Sequence, residues 1–273
     1  MRAALVRGDR LLPIAGPGDE LESIRSIAVG GFSAIEAIAA WAEDQRDADW
    51  RPIRDVELGP AVPDPGAIYT IGHNYRPPDA TADDPDRPER PLVYGKAATS
   101  AAAHGATLGW ERTLTDNVDG EVELGVVIGE PAWRVRREDA MRHVFGYTIV
   151  NDVSSRDEWL DGDQWLLGKS MPGFCPVGPT VVTADELSPA DLALGCSIDG
   201  EPIQDGRTSA MRFGVREIVV FLSRHVELRP GDLIATGTPV RLASPPGPGR
   251  RLRAGDTVTC RIEGIGELTT HIA

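Results

Sequence analysis

From about residue 60 onward, the chain consists of short apolar segments rich in Val, Ile, Leu and Thr, separated by turns rich in Gly, Pro or Asp. Segments of this length and composition are typical of β-strands. Their spacing predicts a β-rich domain, with short helices at 137–143, 153–160 and 213–224. The predicted strands are AIYTIG, PLVYGK, EVELGVVIG, VFGYTIVND, PTVVTA, LALGCSIDG, DLIATGT and DTVTCRIEGIGELTTHI.

The first part of the chain has a different pattern. AALV and RLLPI are strand-like, whereas SAIEAIAAWAEDQ carries apolar residues at helical spacing, and Ser33 with Glu36 fits a capping box. The proline-rich stretch RPIRDVELGPAVPDPG follows as a linker. We therefore predict a small N-terminal α/β domain at 1–58 and a larger domain at 59–273, which together make a β-rich α+β protein.

The charge balance limits the classes of partner. There are 28 basic and 42 acidic residues, a net charge of −14, which repels nucleic-acid phosphates and anionic membranes. The start of the chain lacks the pattern of a secretory signal. We also expect that no apolar stretch reaches the length needed to cross a bilayer. Three widely spaced cysteines suggest neither a disulfide framework nor a zinc site. We expect a cytoplasmic protein that binds neither nucleic acid nor membranes.

One predicted strand contains two carboxylates. In NVDGEVELGVVIG, Glu121 and Glu123 interrupt a β-branched run, and because side chains alternate along a strand, both lie on the same face. Two neighbouring carboxylates require either open water or a compensating cation. Both interpretations stay open here: a wet face of a half-buried strand, or a cation site.

Asp152 follows the next strand and also has two interpretations. It is positioned to cap a helix starting at Val153, or to supply a third oxygen donor beside the two glutamates. Three carboxylates without clustered Cys or His select a hard cation such as Mg²⁺ or Mn²⁺. Arg156 and Lys169 lie nearby in the sequence. Next to such a site, Lys169 would hold a substrate carboxylate or stabilise an enolate.

The ordered series of these motifs resembles the fumarylacetoacetate hydrolase superfamily over about residues 60 to 273. The resemblance implies a mixed β-sandwich roll, a catalytic domain at 59–273 and a homodimer. It also implies one Mg²⁺ or Mn²⁺ ion and substrates that are small 2-oxo or 1,3-dioxo acids. The matching segments are GHNY (72–75), PLVYGKAATS (91–100), DGEVELGVVIG (119–129), GYTIVNDVSSRD (146–157), QWLLGKS with PVGP (164–179), RPGDLIATGTP (229–239) and AGDTV with GIGEL (254–268).

The resemblance also implies roles for individual residues. The metal ligands of the family fall on Glu121, Glu123 and Asp152. Its arginine and substrate-facing lysine fall on Arg156 and Lys169, which we predict to be catalytic. The predicted substrate-binding residues are Tyr75, Gln164, Gly237 and Thr238.

The chain departs from the family at the water-activating dyad. Hydrolytic members resemble one another in an NYxxHxxE motif, but here Asn74 and Tyr75 are followed by Pro78 and Thr81. Neither proline nor threonine can act as a base near neutral pH. We predict that His104 is the substitute and assign His73 a structural role.

Acids of the polar segment 76–90, a predicted surface loop or lid, are further candidates: Asp79, Asp83 and Asp84. The predicted activity is C–C bond cleavage in the hydrolase or lyase range. An oxo-acid decarboxylase or keto–enol tautomerase is the alternative because the dyad is missing, and a non-catalytic binding protein is a third.

Overall fold

The computed structural model describes residues 2–15, 23–77, 84, 87–157, 164–242 and 250–273. At the N-terminus, strands β1 (Ala4–Arg7), β2 (Arg10–Pro13) and β3 (Arg51–Pro52) form a three-stranded sheet. Helix α1 (Ile24–Glu43) packs on it through its own small apolar cluster. The boundary predicted at residue 58 stays a prediction.

Helix α1 begins earlier than the sequence predicted. Its N-cap is Ser23, whose hydroxyl accepts from Ser26 N, so the capping box predicted at Ser33 and Glu36 is not the start of the helix. Gly31, with φ of +60°, kinks the helix. By length and composition alone α1 is apolar enough to cross a membrane, so the prediction that no stretch reaches that length is wrong.

The remaining strands belong mainly to two sheets. A seven-stranded sheet has the order β5-β4-β15-β9-β10-β12-β6, a five-stranded sheet has the order β14-β13-β16-β17-β7, and β8 pairs with β11. The strands are β4 (Ile68–Gly72), β5 (Leu92–Lys96), β6 (Ala101–Ala102), β7 (Thr107–Leu108), β8 (Val118–Asp119), β9 (Val122–Ile128), β10 (Val144–Asn151), β11 (Ser154–Ser155), β12 (Cys175–Thr183), β13 (Ala193–Ile198), β14 (Glu201–Arg207), β15 (Leu233–Ala235), β16 (Thr257–Ile262) and β17 (Gly266–Ile272).

Within the described ranges, the α-helices other than α1 are short. Helix α2 spans Trp165–Lys169 and α3 spans Val215–Ser223. The helix predicted at 213–224 is therefore present, whereas the one at 137–143 is a 3₁₀ turn. The described 3₁₀ helices are Asp47–Asp49, Ile53–Asp55, Ala98–Ser100, Ala140–His143 and Thr208–Ala210.

The main core lies between the two larger sheets. Leu124 and Val126 of β9 face it together with Cys260 of β16, while Val127 of β9 faces a second cluster on the other side. Both faces of β9 are therefore covered, and every residue of the strand is buried. This excludes the interpretation of Glu123 as part of a wet strand face.

The prediction of a helix at 153–160 is wrong for its first residues. Ser154 and Ser155 form β11, which pairs antiparallel with Asp119 and Val118, and residues 158–160 lie outside the described residues. Because the backbone is extended here, Asp152, Ser154 and Arg156 alternate onto one side. Asp152 is therefore not a helix cap.

Candidate metal centre and active site

The strand pairing brings the three predicted carboxylates together. Strands β9 and β10 are antiparallel, with Glu123 opposite Val150, so the beginning of β9 meets the end of β10. The backbone N–H of Asp152 donates to the carbonyl of Glu121 at 2.9 Å. Glu121, Glu123 and Asp152 each offer a carboxylate oxygen, and these atoms lie within 4.8 Å of one another.

Glu123 is 2% exposed, about as buried as Asp152. Burial, together with the charges of Asp152 and Glu121, raises the pKa of Glu123 well above its usual value. One of its oxygens, Oε2, accepts a hydrogen bond from Gly237 N at 2.8 Å. Glu123 is thus a carboxylate that is costly to ionise unless a further cation is present.

Two buried lysines bind Asp152. Lys96 Nζ lies 2.5 Å from Oδ1 and also donates to the carbonyl of Val153 at 3.0 Å, while Lys169 Nζ donates to Oδ2. Burial alone would raise the pKa of Asp152, but the charges of Lys169 and Lys96 outweigh it and lower the pKa to about 2. Asp152 is therefore ionised at any physiological pH.

Lys169 is the last residue of α2 and lies at the centre of the acidic group. Its ammonium also donates to Ser154 Oγ at 2.7 Å and lies 3.6 Å from Glu121 Oε2. Burial lowers its pKa, but the charges of Asp152, Glu121 and Glu123 outweigh that effect, and the net shift is upward. Lys169 is therefore a cation at neutral pH and does not act as a base.

Arg156 closes the other side of the acidic group. Its guanidinium donates to Glu121 Oε1, and the negative charge of Glu121 raises the pKa of Arg156. Its Nε also lies 3.8 Å from Asp119 Oδ2. Because Arg156 occupies Oε1, the remaining oxygen of Glu121 is oriented toward Lys169 and the neighbouring carboxylates.

The turn after β15 forms the opposite wall. Gly237 holds Glu123 as described above, and Thr238 Oγ1 donates to the carbonyl of Val122 at 2.7 Å. Gln204 Nε2 donates to Thr238 Oγ1 at 2.8 Å, and Gln204 Oε1 accepts from Val122 N at 3.0 Å. The turn is therefore tied to the acidic strand by hydrogen bonds on both sides.

A cavity of about 480 Å³ contains this centre. Tyr75 lines it and is 4% exposed, and its hydroxyl has no hydrogen-bond partner among the described residues. Burial raises the pKa of Tyr75. The predicted residues on the cavity wall are Tyr75, Glu121, Glu123, Asp152, Arg156, Lys169 and Thr238.

The geometry does not bring His104 or Gln164 to the cavity wall. His104 lies beside β17, where its Nδ1 accepts from Thr269 N at 3.2 Å, and burial lowers its pKa. It therefore has no support as a catalytic residue. Gln164 is an exposed residue at the start of α2 and makes no capping hydrogen bond.

His73 is the histidine that does line the cavity. It is exposed, with φ of +53°, and its carbonyl accepts from Arg212 Nη1 at 3.0 Å. The structural role predicted for it rested on strand alternation, which fails here because the left-handed backbone interrupts the strand. Of the predicted lid acids, Asp84 forms two hydrogen bonds with Arg212, whereas Asp79 and Asp83 lie outside the described residues.

The sequence did not predict several residues of the site. Lys96, Asp119, Gln204, Arg212 and Arg241 were given no role from sequence. Lys96 and Asp119 belong to segments that match the family, which was a usable signal. The others lie far along the chain from the acidic strand, and only the fold brings them to it.

The donor set fits a hard divalent cation. Among the described residues, three carboxylates converge without Cys or His. Burial and two like-charged neighbours raise the pKa of Glu123, and Lys169 and Gly237 N offset this only in part. Oxygen ligands of this kind suit Mg²⁺ or Mn²⁺. The prediction of a cation site is therefore supported by the geometry of this structure.

Comparisons with known proteins show which family the chain resembles. A family model described as the C-terminal domain of fumarylacetoacetate (FAA) hydrolase matches residues 67–273. An uncharacterized protein from Staphylococcus aureus is 36% identical over 240 residues, covering 87% of this chain and 79% of the relative.

Two solved structures are similar along most of the chain. One is 2-hydroxyhepta-2,4-diene-1,7-dioate isomerase from Mycobacterium marinum, with 35% identity, a TM-score of 0.70, and coverage of 84% of this chain and 82% of that chain. The other is fumarylacetoacetate hydrolase from Exiguobacterium antarcticum, with 30% identity, a TM-score of 0.85, and coverage of 99% and 94%. The predicted fold is thereby confirmed.

Proposed function

The chain belongs to the fumarylacetoacetate hydrolase family, and we propose that it is a divalent-metal-dependent enzyme acting on a small 2-oxo or 1,3-dioxo carboxylate. The observation that carries this proposal is the convergence of Glu121, Glu123 and Asp152 oxygens within 4.8 Å at the wall of a cavity. The isomerase and hydrolase names of the similar structures support an enzymatic role.

In this proposal Glu121, Glu123 and Asp152 hold the ion. When bound, Mg²⁺ or Mn²⁺ supplies a Lewis acid that polarises the keto and carboxylate oxygens of an oxo acid. Arg156 and Gly237 N each hold one oxygen of Glu121 and of Glu123. Lys96 and Lys169 hold Oδ1 and Oδ2 of Asp152, so all three side chains have a fixed orientation. Lys96 is thus a positioning residue.

Lys169 has the catalytic role in the proposal. Its ammonium is fixed by Asp152 and Ser154 beside the place where the substrate would bind, and its pKa is raised. A fixed cation stabilises negative charge that develops on a substrate oxygen when a bond to the neighbouring carbon breaks. The same charge also attracts the carboxylate of the substrate.

We propose cleavage of a C–C bond as the primary reaction, in the hydrolase or lyase range. His73, on the cavity wall, is available as a proton acceptor in place of the missing dyad. The second candidate is decarboxylation or keto–enol isomerisation, which requires no attacking water. Pro78 and Thr81 at the dyad positions, and the isomerase name of a relative at 35% identity, favour this alternative.

A substrate screen separates these reactions. The purified chain, loaded with Mn²⁺ or treated with EDTA, is offered acylpyruvates, oxaloacetate and keto–enol dioxo acids, while acid products, CO₂ and enol absorbance are followed together. Metal-dependent formation of two acids from an acylpyruvate supports C–C hydrolysis. CO₂ or enol signals without that cleavage select the second candidate, and no turnover with bound metal leaves a binding protein.

We also propose that the protein is cytoplasmic and, from membership of the family, that it works as a homodimer. The structure offers an apolar surface for the contact: edge strand β5 and helix α2 pack together and leave Leu92, Val93, Leu166 and Leu167 exposed. Apolar side chains grouped at an edge strand favour burial against a second surface.

A further inference from the structure

The segment around Arg251 lies against strand β8. Its neighbour Leu252 is 1% exposed, and the backbone N–H of Leu252 donates to the carbonyl of Val118 at 2.9 Å. The Arg251 guanidinium makes two contacts from this fixed position. Nε donates to Asn117 Oδ1 at 2.5 Å, and Nη1 donates to Asp119 Oδ2 at 2.9 Å.

Both of these partners also contact Arg156. Asn117 Nδ2 donates to the carbonyl of Arg156 at 2.5 Å, and the backbone N–H of Arg156 donates to the carbonyl of Asn117 at 2.7 Å. Arg156 Nε lies 3.8 Å from Asp119 Oδ2, the same oxygen that accepts from Arg251. Arg251 is therefore bonded both to the residue that holds the backbone of Arg156 and to a carboxylate beside its side chain.

The Arg156 side chain lies between two carboxylates, Asp119 and Glu121. Its Nη2 donates to Glu121 Oε1, whereas Asp119 Oδ2 is beyond hydrogen-bond distance. Asp119 is 2% exposed, and both of its oxygens are already occupied: Arg241 Nη1 contacts Oδ1, and Arg251 donates to Oδ2. Because two cations compensate its single charge, Asp119 attracts Arg156 only weakly.

Arg251 and Arg156 also repel each other across Asp119. Burial and the charge of Arg156 lower the pKa of Arg251, which is the direction expected for a cation beside another cation. This repulsion favours the conformation in which Arg156 points to Glu121. Arg156 and Glu121 both lie on the wall of the cavity, and the Arg156 side chain is 26% exposed there.

We infer that Arg251 is a positioning residue: by compensating the charge of Asp119, it keeps Arg156 on Glu121 and at the cavity wall, where Arg156 binds the oxo acid. The inference rests on the proposed function, because that function gives the cavity an oxo acid to bind. Arg251 is not among the described residues that line the cavity, so it acts through Arg156. Without the charge of Arg251, Arg156 turns to Asp119 and leaves Glu121.

The test removes the charge of Arg251 and measures two affinities by calorimetry. In Arg251→Gln, pyruvate binds the Mn²⁺-loaded protein about 10-fold more weakly, as expected for the loss of one charge-assisted hydrogen bond. Mn²⁺ itself binds at least as tightly as in the unmodified protein, because Glu121 loses a competing cation. A merely structural role of Arg251 predicts instead that both affinities fall together.

Two matched variants separate charge from position. Arg253→Gln removes the same charge from an exposed site two residues further along and leaves both affinities unchanged. Arg251→Lys keeps a charge opposite Asp119, so the affinity for pyruvate stays within about twofold of the unmodified protein. If Arg251→Gln fails to fold, the lysine variant still decides the question, because a loss of about 10-fold in it contradicts the role of the charge.

A double-mutant cycle shows whether Arg251 acts through Arg156. Adding Arg251→Gln to Arg156→Gln causes no further loss of pyruvate affinity, because the residue that Arg251 positions is already gone. Pyruvate is a suitable probe because it offers one carboxylate and one keto oxygen.

Three results would overturn the role of Arg251: unchanged pyruvate affinity in Arg251→Gln, equal weakening of Mn²⁺ and pyruvate binding in that variant, or a full additional loss in the double variant. Failure of the unmodified protein to bind Mn²⁺ or pyruvate is seen before any variant is made. That result counts against the proposed function itself, and the inference about Arg251 falls with it.

Discussion

At the scale of single residues, repulsion between like charges makes Glu123 the clearest sign of a cation site. Burial and two neighbouring carboxylates make its ionised form unfavourable, whereas Lys169 and Gly237 N only partly offset this. A protein that keeps such a group sacrifices stability for a site that binds a cation. Changing the Glu123 side chain alone separates its effect on folding stability from its effect on cation binding.

Glu123→Gln tests that separation. Glutamine keeps the shape and removes the charge, so we expect Mn²⁺ affinity to fall at least about 100-fold, by analogy with the loss of one charged ligand pair worth several kcal/mol. The metal-free variant should be as stable as the original or more stable, because a repulsive charge is gone. Calorimetry with Mn²⁺ and urea unfolding measure the two effects.

Glu57→Gln, at an exposed position, is the matched control and should change neither quantity. Unchanged Mn²⁺ affinity in Glu123→Gln would contradict the metal centre.

The raised pKa of Glu123 also predicts how the metal-free protein responds to pH. The folded state keeps a proton that the unfolded chain loses above its pKa near 4.5. The stabilising contribution of protonated Glu123 is therefore complete below that value and is lost as pH rises through the folded-state pKa. Asp152, with a pKa lowered to about 2, behaves oppositely and contributes stability above 3.8 that is lost toward pH 2.

Because Glu123 must lose its proton to bind a cation, Mn²⁺ affinity should rise with pH until Glu123 is ionised, and binding below that point should release protons. Calorimetric titrations in two buffers with different ionisation enthalpies measure this release. Asp152 contributes none of it, since it is already ionised. If the binding enthalpy does not depend on the buffer at pH values below the folded-state pKa of Glu123, metal binding is not coupled to proton release.

At the scale of secondary-structure elements, the turn after β15 fixes the acidic strand. Gly237 has φ of +95°, and a Cβ there would lie 2.7 Å from Asn74 Cβ and 2.9 Å from the carbonyl oxygen of Ile71. Asn74 is buried and its amide donates to the carbonyls of Phe213 and Thr236. The turn, the end of β4 and the start of α3 thus form one rigid junction beneath Glu123.

Gly237→Ala should therefore destabilise the fold by about 2 to 5 kcal/mol, since it combines a left-handed backbone with a steric clash. It should also weaken Mn²⁺ binding, because Gly237 N no longer holds Glu123. Gly255→Ala is the matched control: Gly255 has φ of +89°, but its Cβ would have nothing within 4 Å, so it should cost only about 1 kcal/mol. Urea unfolding compares the two, and equal losses would exclude the clash as the cause.

At the scale of the whole molecule, metal binding should stabilise the fold. Glu121 lies just before β9, Glu123 lies within β9, and Asp152 follows β10. These elements meet only in the folded state, so the ion would bind the native protein selectively. At a free Mn²⁺ concentration about 100-fold above Kd, the gain is about 2.7 kcal/mol, or roughly 5 to 10 °C in Tm. Thermal unfolding with and without EDTA measures this shift, and Glu123→Gln should lose most of it, keeping about 0.4 kcal/mol or less if its affinity is at least about 100-fold lower.

The assembly is a second prediction at this scale. The homodimer should give a mass in solution twice that of one chain by light scattering. Leu167→Asp, placed in the exposed apolar surface of α2, should shift the species toward the monomer because a charge cannot be buried without a partner. Leu114→Asp is an exposed control in a different segment. A monomer at all concentrations would contradict the proposal.

The β-rich class, the strand carrying the acidic pair and the family could all be predicted from the sequence. These follow from local properties: alternation places Glu121 and Glu123 on one side of an extended chain, and motif order survives without knowledge of the fold. Local spacing left Asp152 open between a helix cap and a metal ligand, and the structure excludes the cap. The sequence also predicted His104 as the substitute base, and the structure does not bring His104 to the cavity wall. In both cases local spacing was compatible with more than one backbone path.

The residues that surround the acidic pair could not be predicted from the sequence, because the fold brings them together from distant parts of the chain. Lys96 and Lys169 reach Asp152 from β5 and α2, and Arg241 reaches Asp119 from a turn more than a hundred residues further along the chain. Such partners are selected by sheet order and not by sequence distance. Burial has the same origin: β9 became a buried strand because other elements cover both its faces, and that burial raises the pKa of Glu123.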